Sequence, residues 1–377
     1  MIVIADDITG AAEMAGIAFA CGENVHLVCG GVAGGCGTAT YETTVIATDT
    51  RSMSEADAVA ETRHIASTYW GEVGGGLIFK KTDSALRGHV MAELSALMEA
   101  TGYQRAVFLP ANPSKGRIIR GDTYYIKEVS GERLEVRNVP ISETAFSYDP
   151  EFPAKTSVLS ERFPDAEQKG IIMPDAESED DIRQVIATYN DGHTLFAGAA
   201  DLFSAILSHS RETRNTSDSR ETRDTRVSDS PSTLILCGST QSKALDLGIP
   251  IAPMPREIYD GNEDLSLWDT SAYQEKHSLI LTMPFTHRTG KEAAVHLRTM
   301  MARKALQLID QHRPTHLIIE GGATAWATLQ ALGWTQFEIV AQIAPGVVQM
   351  SATNGTLVTL KPGSYPWGNL FSSSTNT

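Results

Sequence analysis

The sequence predicts an α/β protein: two α/β domains with largely parallel sheets and a cleft between them. Three observations carry this. Short apolar runs alternate with helix-period segments in both halves of the chain, most runs are separated by helix-length connections of the kind parallel strands need, and a polar, low-complexity stretch divides the halves.

In the first half, Ile2 to Ala5, Val25 to Val28, Thr44 to Ala47, Leu77 to Phe79 and Ala106 to Leu109 are apolar runs of strand length, expected to be buried on both faces. Between them, Ala11 to Ala20, Glu55 to Tyr69 and Val90 to Ala100 carry the spacing of amphipathic helices. In the second half, Thr233 to Cys237, Leu279 to Leu281, Leu317 to Ile319 and Leu357 to Leu360 are strand-like, and Lys291 to Gln311 and Ala325 to Ala331 are helix-like. Residues 208–232 contain almost nothing that could be buried. Within them SHSRETRNT (Ser208 to Thr216) is nearly repeated as SDSRETRDT (Ser217 to Thr225), and two copies cannot build a solenoid. The expected organisation is therefore an N-terminal domain over 1–207, a flexible linker over 208–232 and a C-terminal domain over 233–377.

Composition narrows the function. With 31 Lys+Arg against 46 Asp+Glu, the formal charge is −15, which argues against nucleic acid or an anionic membrane as partner. A small anionic ligand then needs a local basic pocket. No apolar run approaches the roughly 20 residues that cross a bilayer, and MIVIADD lacks the features of a signal peptide, so the expected location is the cytoplasm. Cys21, Cys29, Cys36 and Cys237 form no CxxC pair, and no metal site is expected.

In open α/β sheets, ligands sit beyond the carboxyl ends of the strands. There the first half collects its polar residues: Asp6-Asp7-Ile8-Thr9-Gly10 after the first strand, Asp49-Thr50-Arg51-Ser52 after the third, Lys80-Lys81-Thr82-Asp83-Ser84 with Arg87-Gly88 after the fourth, and Pro110-Ala111-Asn112-Pro113 then Lys115-Gly116-Arg117 after the fifth. Arg51 or Arg87 could fork onto a carboxylate or phosphate, Lys81 could supply a point charge, and Asp7 or Asp83 could accept a hydroxyl proton. Singly, such residues also suit helix caps, as Asp6, Thr9, Asp83 and Ser84 do. In the second half, Gly238-Ser239-Thr240, Gly321-Gly322-Ala323-Thr324, Pro345-Gly346 and Lys361-Pro362-Gly363 place glycine turns after strands, a setting that presents backbone amides to phosphate. Neither a Walker loop nor a GxGxxG occurs, so a nucleotide site must be of another type.

Taken together, ADDITGAAEMAG (Ala5 to Gly16), TDTRS (Thr48 to Ser52), KKTDSALRGHVMAEL (Lys80 to Leu94), PANPSKGRIIRGDTYYI, TAFSYDP (Thr144 to Pro150), Pro174-Asp175-Ala176, Gly321 to Thr324 and LKPGSYPWG (Leu360 to Gly368) resemble the four-carbon acid sugar kinase family over nearly the whole chain, in the family's order. The resemblance implies an ATP-dependent kinase, with Mg²⁺, that phosphorylates the terminal 4-hydroxyl of threonate, erythronate or 3-oxo-tetronate. It implies substrate contacts from Asp6, Asp7, Arg51, Lys81, Asp83, Ser84 and Arg87. It also implies nucleotide contacts from Ser239, Gly321, Gly322, Ala323, Thr324, Gly346 and Gly363. Asp83 is favoured over Asp7 as the base, because Lys81, Ser84 and Arg87 would orient it, and Arg51 is expected to fork onto the substrate carboxylate. A homodimer is left open. The chain departs from the family at Ala323, where an acid is usual, and at Pro366-Trp367, inserted into the closing motif; Glu13 stands for a more usual Asp. These departures define the alternative, a weakened or inactive member that senses acid sugar and nucleotide. A dehydrogenase is disfavoured by the missing dinucleotide fingerprint.

Overall fold

A computed structural model describes the chain except for residues 31–40, 71–75, 131–134, 150, 215–231, 240–244, 285–289, 364 and 372–377. Cys36 lies outside the described residues, as does most of the expected linker.

One sheet of 14 strands crosses the molecule, and its two halves keep their own sequence. On one side run Val25–Cys29, Thr43–Ala47, Ile2–Ala5, Ile78–Lys81, Thr194–Gly198, Arg105–Leu109 and Ile171–Ile172, all parallel. On the other run Ile251–Pro253, Ser278–Thr282, Thr233–Cys237, His316–Glu320 and Leu357–Lys361, also parallel. Val347–Ala352 and Gln336–Ala344 then follow antiparallel, and Gln336–Ala344 pairs antiparallel with Val25–Cys29 to join the halves. Every predicted strand and helix is present, with ends that shift by a few residues. The central strands are buried along their whole length, which is why they read as unbroken apolar runs rather than alternating ones.

Several features differ from expectation: Thr194–Gly198, Gln336–Ala344 and Val347–Ala352 are strands that were not assigned, and two further differences bear on the site. A separate three-stranded antiparallel sheet, Arg117–Arg120, Thr123–Ser130 and Glu135–Pro140, stands where no element was assigned; its mixed polar sequence, TYYIKEVS, lacks an apolar run. The helix Ala200–Arg214 also continues through Ser208, where the linker was expected to begin. Leu202, Phe203, Ile206 and Leu207 bury its inner face.

Of the described cysteines, Cys29 and Cys237 are buried thiols whose titration is pushed up by burial, to about 12 for Cys237. Among the described residues no helix is long and apolar enough to cross a membrane.

Candidate active site

The first wall of the site is made by strand exits of the N-terminal half. Asp7 caps the helix Ile8–Ala20, its carboxylate accepting from the Gly10 amide at 2.9 Å and the Thr9 hydroxyl at 2.5 Å. Asp6 is buried beside it and receives a two-bond fork from Arg51, whose Nε and Nη2 each lie 2.9 Å from a carboxylate oxygen. The first and third strands run in register, Ala5 opposite Ala47, so their exits bring these two residues together. Burial pushes the Asp6 carboxyl up despite Arg51. Arg51 Nη2 also lies 3.2 Å from Asp7 and 3.7 Å from Asp83. Arg51 was expected to fork onto a substrate carboxylate; here its Nε and Nη2 edge faces Asp6, while the residue still lines the cavity.

Asp83 is caged. It accepts from Arg87 Nε at 2.8 Å, Arg87 Nη2 at 3.0 Å and the amides of Ala85 and Arg87 at 3.0 and 3.2 Å. Burial opposes its charge, but Arg51 and Arg87 outweigh burial and hold the carboxyl far below the usual carboxylate range. Of the groups expected to orient Asp83, only Arg87 bonds it; Lys81 and Ser84 are engaged elsewhere. Asp7 is also held below its ordinary value, burial being outweighed by Arg51, Lys81 and the Thr9 hydroxyl. Lys81 Nζ donates to the Thr82 carbonyl at 2.8 Å, and the Ser84 hydroxyl accepts from Arg117.

The facing wall comes from three adjacent parallel strands that end on one edge. Thr233–Cys237 leads into Gly238 and Ser239, His316–Glu320 into the Gly321 cap of the helix Gly322–Leu332, and Leu357–Lys361 into Pro362 and Gly363. No side chain caps that helix, so its first amides have no partner within it. Beneath the turns, buried Lys361 donates to Glu320 at 2.5 Å and to the carbonyls of Pro362 and Gly363 at 3.0 and 3.2 Å. Gly238 is required by contact: a Cβ there would lie 1.9 Å from the Thr324 hydroxyl.

Both walls enclose one cavity of about 470 Å³. It is lined by Asp7, Arg51, Lys81, Asp83, Ser84 and Arg87 on one side and by Ser239, Gly321, Gly322, Ala323, Thr324 and Gly363 on the other, so two groups of expected residues come together. Two expected residues do not line it. Asp6 is buried under Arg51, and Gly346 lies behind Tyr365, where a Cβ would meet the ring at 2.4 Å. Thr9, Gly10, Glu13, Arg117, Pro362 and Tyr365 also line the cavity, although the sequence had not assigned them to the site. Their signal was available only as neighbours of assigned motifs. Tyr365 closes one end, its hydroxyl donating to Glu13 at 3.1 Å and its ring lying 4.4 Å from Lys115 Nζ. The inserted Trp367 packs on the supporting lysine, with Lys361 Nζ 4.8 Å from its ring. Among the described residues no group of three or more His, Cys, Asp or Glu is arranged to hold a metal ion.

Residues 1–167 match the family model described as a sugar-binding N-terminal domain, and residues 258–365 that of a nucleotide-binding C-terminal domain. D-threonate kinase of Salmonella typhimurium is 31% identical over 192 residues, so the match spans 43% of this chain and 43% of that relative's length. A 3-oxo-tetronate kinase of Haemophilus influenzae is 23% identical over a 405-residue alignment that covers 96% of both chains. A crystal structure of a Haemophilus influenzae protein shares the fold, with a TM-score of 0.68 and 19% identity over 97% of both chains. The sugar-binding model falls on the charged wall and the nucleotide-binding model on most of the glycine wall, and the matching relatives are kinases of four-carbon acid sugars: the chain belongs to the four-carbon acid sugar kinase family.

Proposed function

We propose that the protein is an ATP-dependent kinase that phosphorylates the terminal hydroxyl of a four-carbon acid sugar. The observation that carries this is the closeness of the two walls: a Cβ on Gly322 would lie 3.1 Å from Thr9 Cγ2 and 3.6 Å from Asp7 Oδ2. A phosphate seated on the first amides of the Gly322–Leu332 helix therefore sits beside a carboxylate able to orient a hydroxyl. The inferred division of labour is that residues 1–207 hold the acid sugar and 233–377 the nucleotide, with the polar segment from 208 to 232 between them.

Phosphoryl transfer asks for alignment, charge neutralisation and exclusion of water more than for covalent chemistry. Asp7 is the group we assign to the hydroxyl. One of its oxygens accepts from Gly10 and the other from Thr9, so its position is fixed on the rigid start of a helix. A depressed proton affinity suits orientation and late proton acceptance, as a loose transition state requires. Lys81 and Arg51, beside Asp7, bring positive charge to the transferred group. On the facing wall, amides at Gly322 to Thr324 and the hydroxyls of Ser239 and Thr324 suit phosphate oxygens. Mg²⁺ fits as an ion carried by the nucleotide's phosphates and waters, with Asp7 the carboxylate facing the turn, and when bound it would neutralise phosphate charge.

Coupled ADP release with D-threonate, D-erythronate and 3-oxo-tetronate tests the proposal. Turnover is expected with at least one acid, and Asp7→Asn should lower kcat by roughly two to four orders of magnitude while ADP still binds by calorimetry. Release no faster than without acid, across the panel, would reject the kinase.

A further inference from the structure

We infer that Arg117 is the residue that receives the carboxylate end of the acid substrate and so sets the preference for an acid over a neutral polyol. This rests on the kinase reading and deepens it.

The cavity is lined by four cationic side chains, Arg51, Lys81, Arg87 and Arg117. Two of them are already forked onto carboxylates, Arg51 onto Asp6 and Arg87 onto Asp83. Lys81 donates to the Thr82 carbonyl and acts on Asp7 only through its charge, and an ammonium is a point charge without a fork. Among the described residues, Arg117 has no carboxylate in ion-pair contact. Its Nη1 donates to the neutral Ser84 hydroxyl, and its guanidinium carbon lies 5.9 Å from the centre of the Phe146 ring. A half-buried guanidinium with one hydroxyl partner keeps most of its five donors for something else, and a planar carboxylate is the group its fork matches.

The support behind Arg117 is rigid. It opens the strand Arg117–Arg120, and its amide and carbonyl both pair with Asn112. Ser84 is held in turn by the Tyr124 hydroxyl, which donates to the Ser84 carbonyl at 2.5 Å and to that of Pro110 at 3.2 Å. A guanidinium fixed in this way can discriminate by position as well as by charge. It also places the carboxylate end of a short acid at the small sheet, so the far hydroxyl points back along the wall toward Asp7 and the glycine turn.

Two variants and one neutral analogue test this: Arg117→Met, Arg117→Lys, and threitol beside D-threonate and D-erythronate. Loss of a charge-assisted fork should raise the acid's KM by roughly 10- to 100-fold in Arg117→Met. The KM for ATP and the melting temperature should stay near the parent. Arg117→Lys should recover part of the loss, and Arg117→Met should narrow the parent's preference for acid over threitol by the same factor. An unchanged acid KM, or equal losses for acid and threitol, would overturn the assignment. If the parent turns over none of the acids, the kinase proposal fails and Arg117 is judged by thermal shift instead. Acid-specific stabilisation in the parent that Arg117→Met abolishes would uphold it; stabilisation retained in the variant, or absent in the parent, would overturn it.

Discussion

On the N-terminal wall of the cavity Arg51 is forked to Asp6 and Arg87 to Asp83, so charge is dense but mostly answered within the protein. The facing wall presents glycines, a proline, the hydroxyls of Ser239, Thr324 and Tyr365 and the amides of a helix start, and Glu320 beneath it is buried against Lys361. The contrast teaches how the two ligands would be held. A polyhydroxy acid offers hydroxyls and one charge, and internally paired ions give it a fixed array of donors and acceptors with no net field to repel it. A polyphosphate brings its own charge, and amides at a helix start bind it without a side chain that must be desolvated.

Both walls nonetheless rest on the same device, a buried lysine paired with a glutamate. Lys80 donates to Glu93 at 2.7 Å, and Glu93 also accepts from Thr50, which steadies the turn that carries Arg51. Lys361 pairs with Glu320 and also ties down two carbonyls of the glycine wall. Lys80→Met and Lys361→Met should each cost about 3–5 kcal/mol, because a buried glutamate is left unpaired. Denaturant unfolding measures that loss. ADP affinity separates the two: it should fall in Lys361→Met, whose carbonyls are released at the cavity, and hold in Lys80→Met. Equal ADP binding in both would break the distinction between the walls.

Acid should part the walls next. His316, at the start of the central strand of the C-terminal half, is buried with its Nε2 2.8 Å from the Thr359 hydroxyl, and burial lowers its pKa to about 4. A lowered histidine leaves the folded state with fewer protons than the unfolded one, so stability is full above pH ~6.5 and is lost as pH falls toward 4, by about 3 kcal/mol in all. The N-terminal wall behaves otherwise. Asp83 and Asp7 are held low and lose their contribution only below about pH 3.8, while Asp49, raised by burial to about 6, gains stability as pH falls from 6 toward 3.8. Amide exchange at pH 5 against pH 7 should show protection falling in His316–Glu320 and persisting in Ile78–Lys81, and His316→Gln should flatten the difference. Loss in both strands together would show that the shared sheet unfolds as one.

The smallest effect is expected at Ala323, where the glycine wall departs from the family. Ala323 is exposed at the helix start, so Ala323→Asp should change stability by only about 0.5 kcal/mol. It should lower the Mg²⁺ concentration needed for half-maximal ADP binding, measured by calorimetry. An unchanged Mg²⁺ requirement would mean that this wall binds phosphate through amides alone.

Much of this molecule follows from sequence by itself. Strands buried on both faces are written as continuous apolar runs, so Ile2–Ala5, Thr233–Cys237 and their neighbours could be located within a few residues, and the polar residues after them marked one edge of the sheet. Local chemistry also identified the glycine turns and expected a cap at the first helix, but it offered Asp6 and Thr9, whereas Asp7 makes the cap. Tertiary structure decided what faces what. Arg51 looked like a ligand anchor because a sequence shows a guanidinium without its partner, and only the register of parallel strands puts Asp6 against it. Asp83 likewise shows in sequence without its partner, and only the folded chain sets the fork from Arg87 against it. Glu13 and Tyr365 could not be brought to the site by any local rule, because they meet across nearly the whole chain; Arg117 was legible only as part of the polar rim, and the small sheet that holds it has no apolar signature. Secondary structure is governed by short-range periodicity and burial, whereas the pairing of charges is set by distances between segments far apart in sequence, and those distances exist only once the chain has folded.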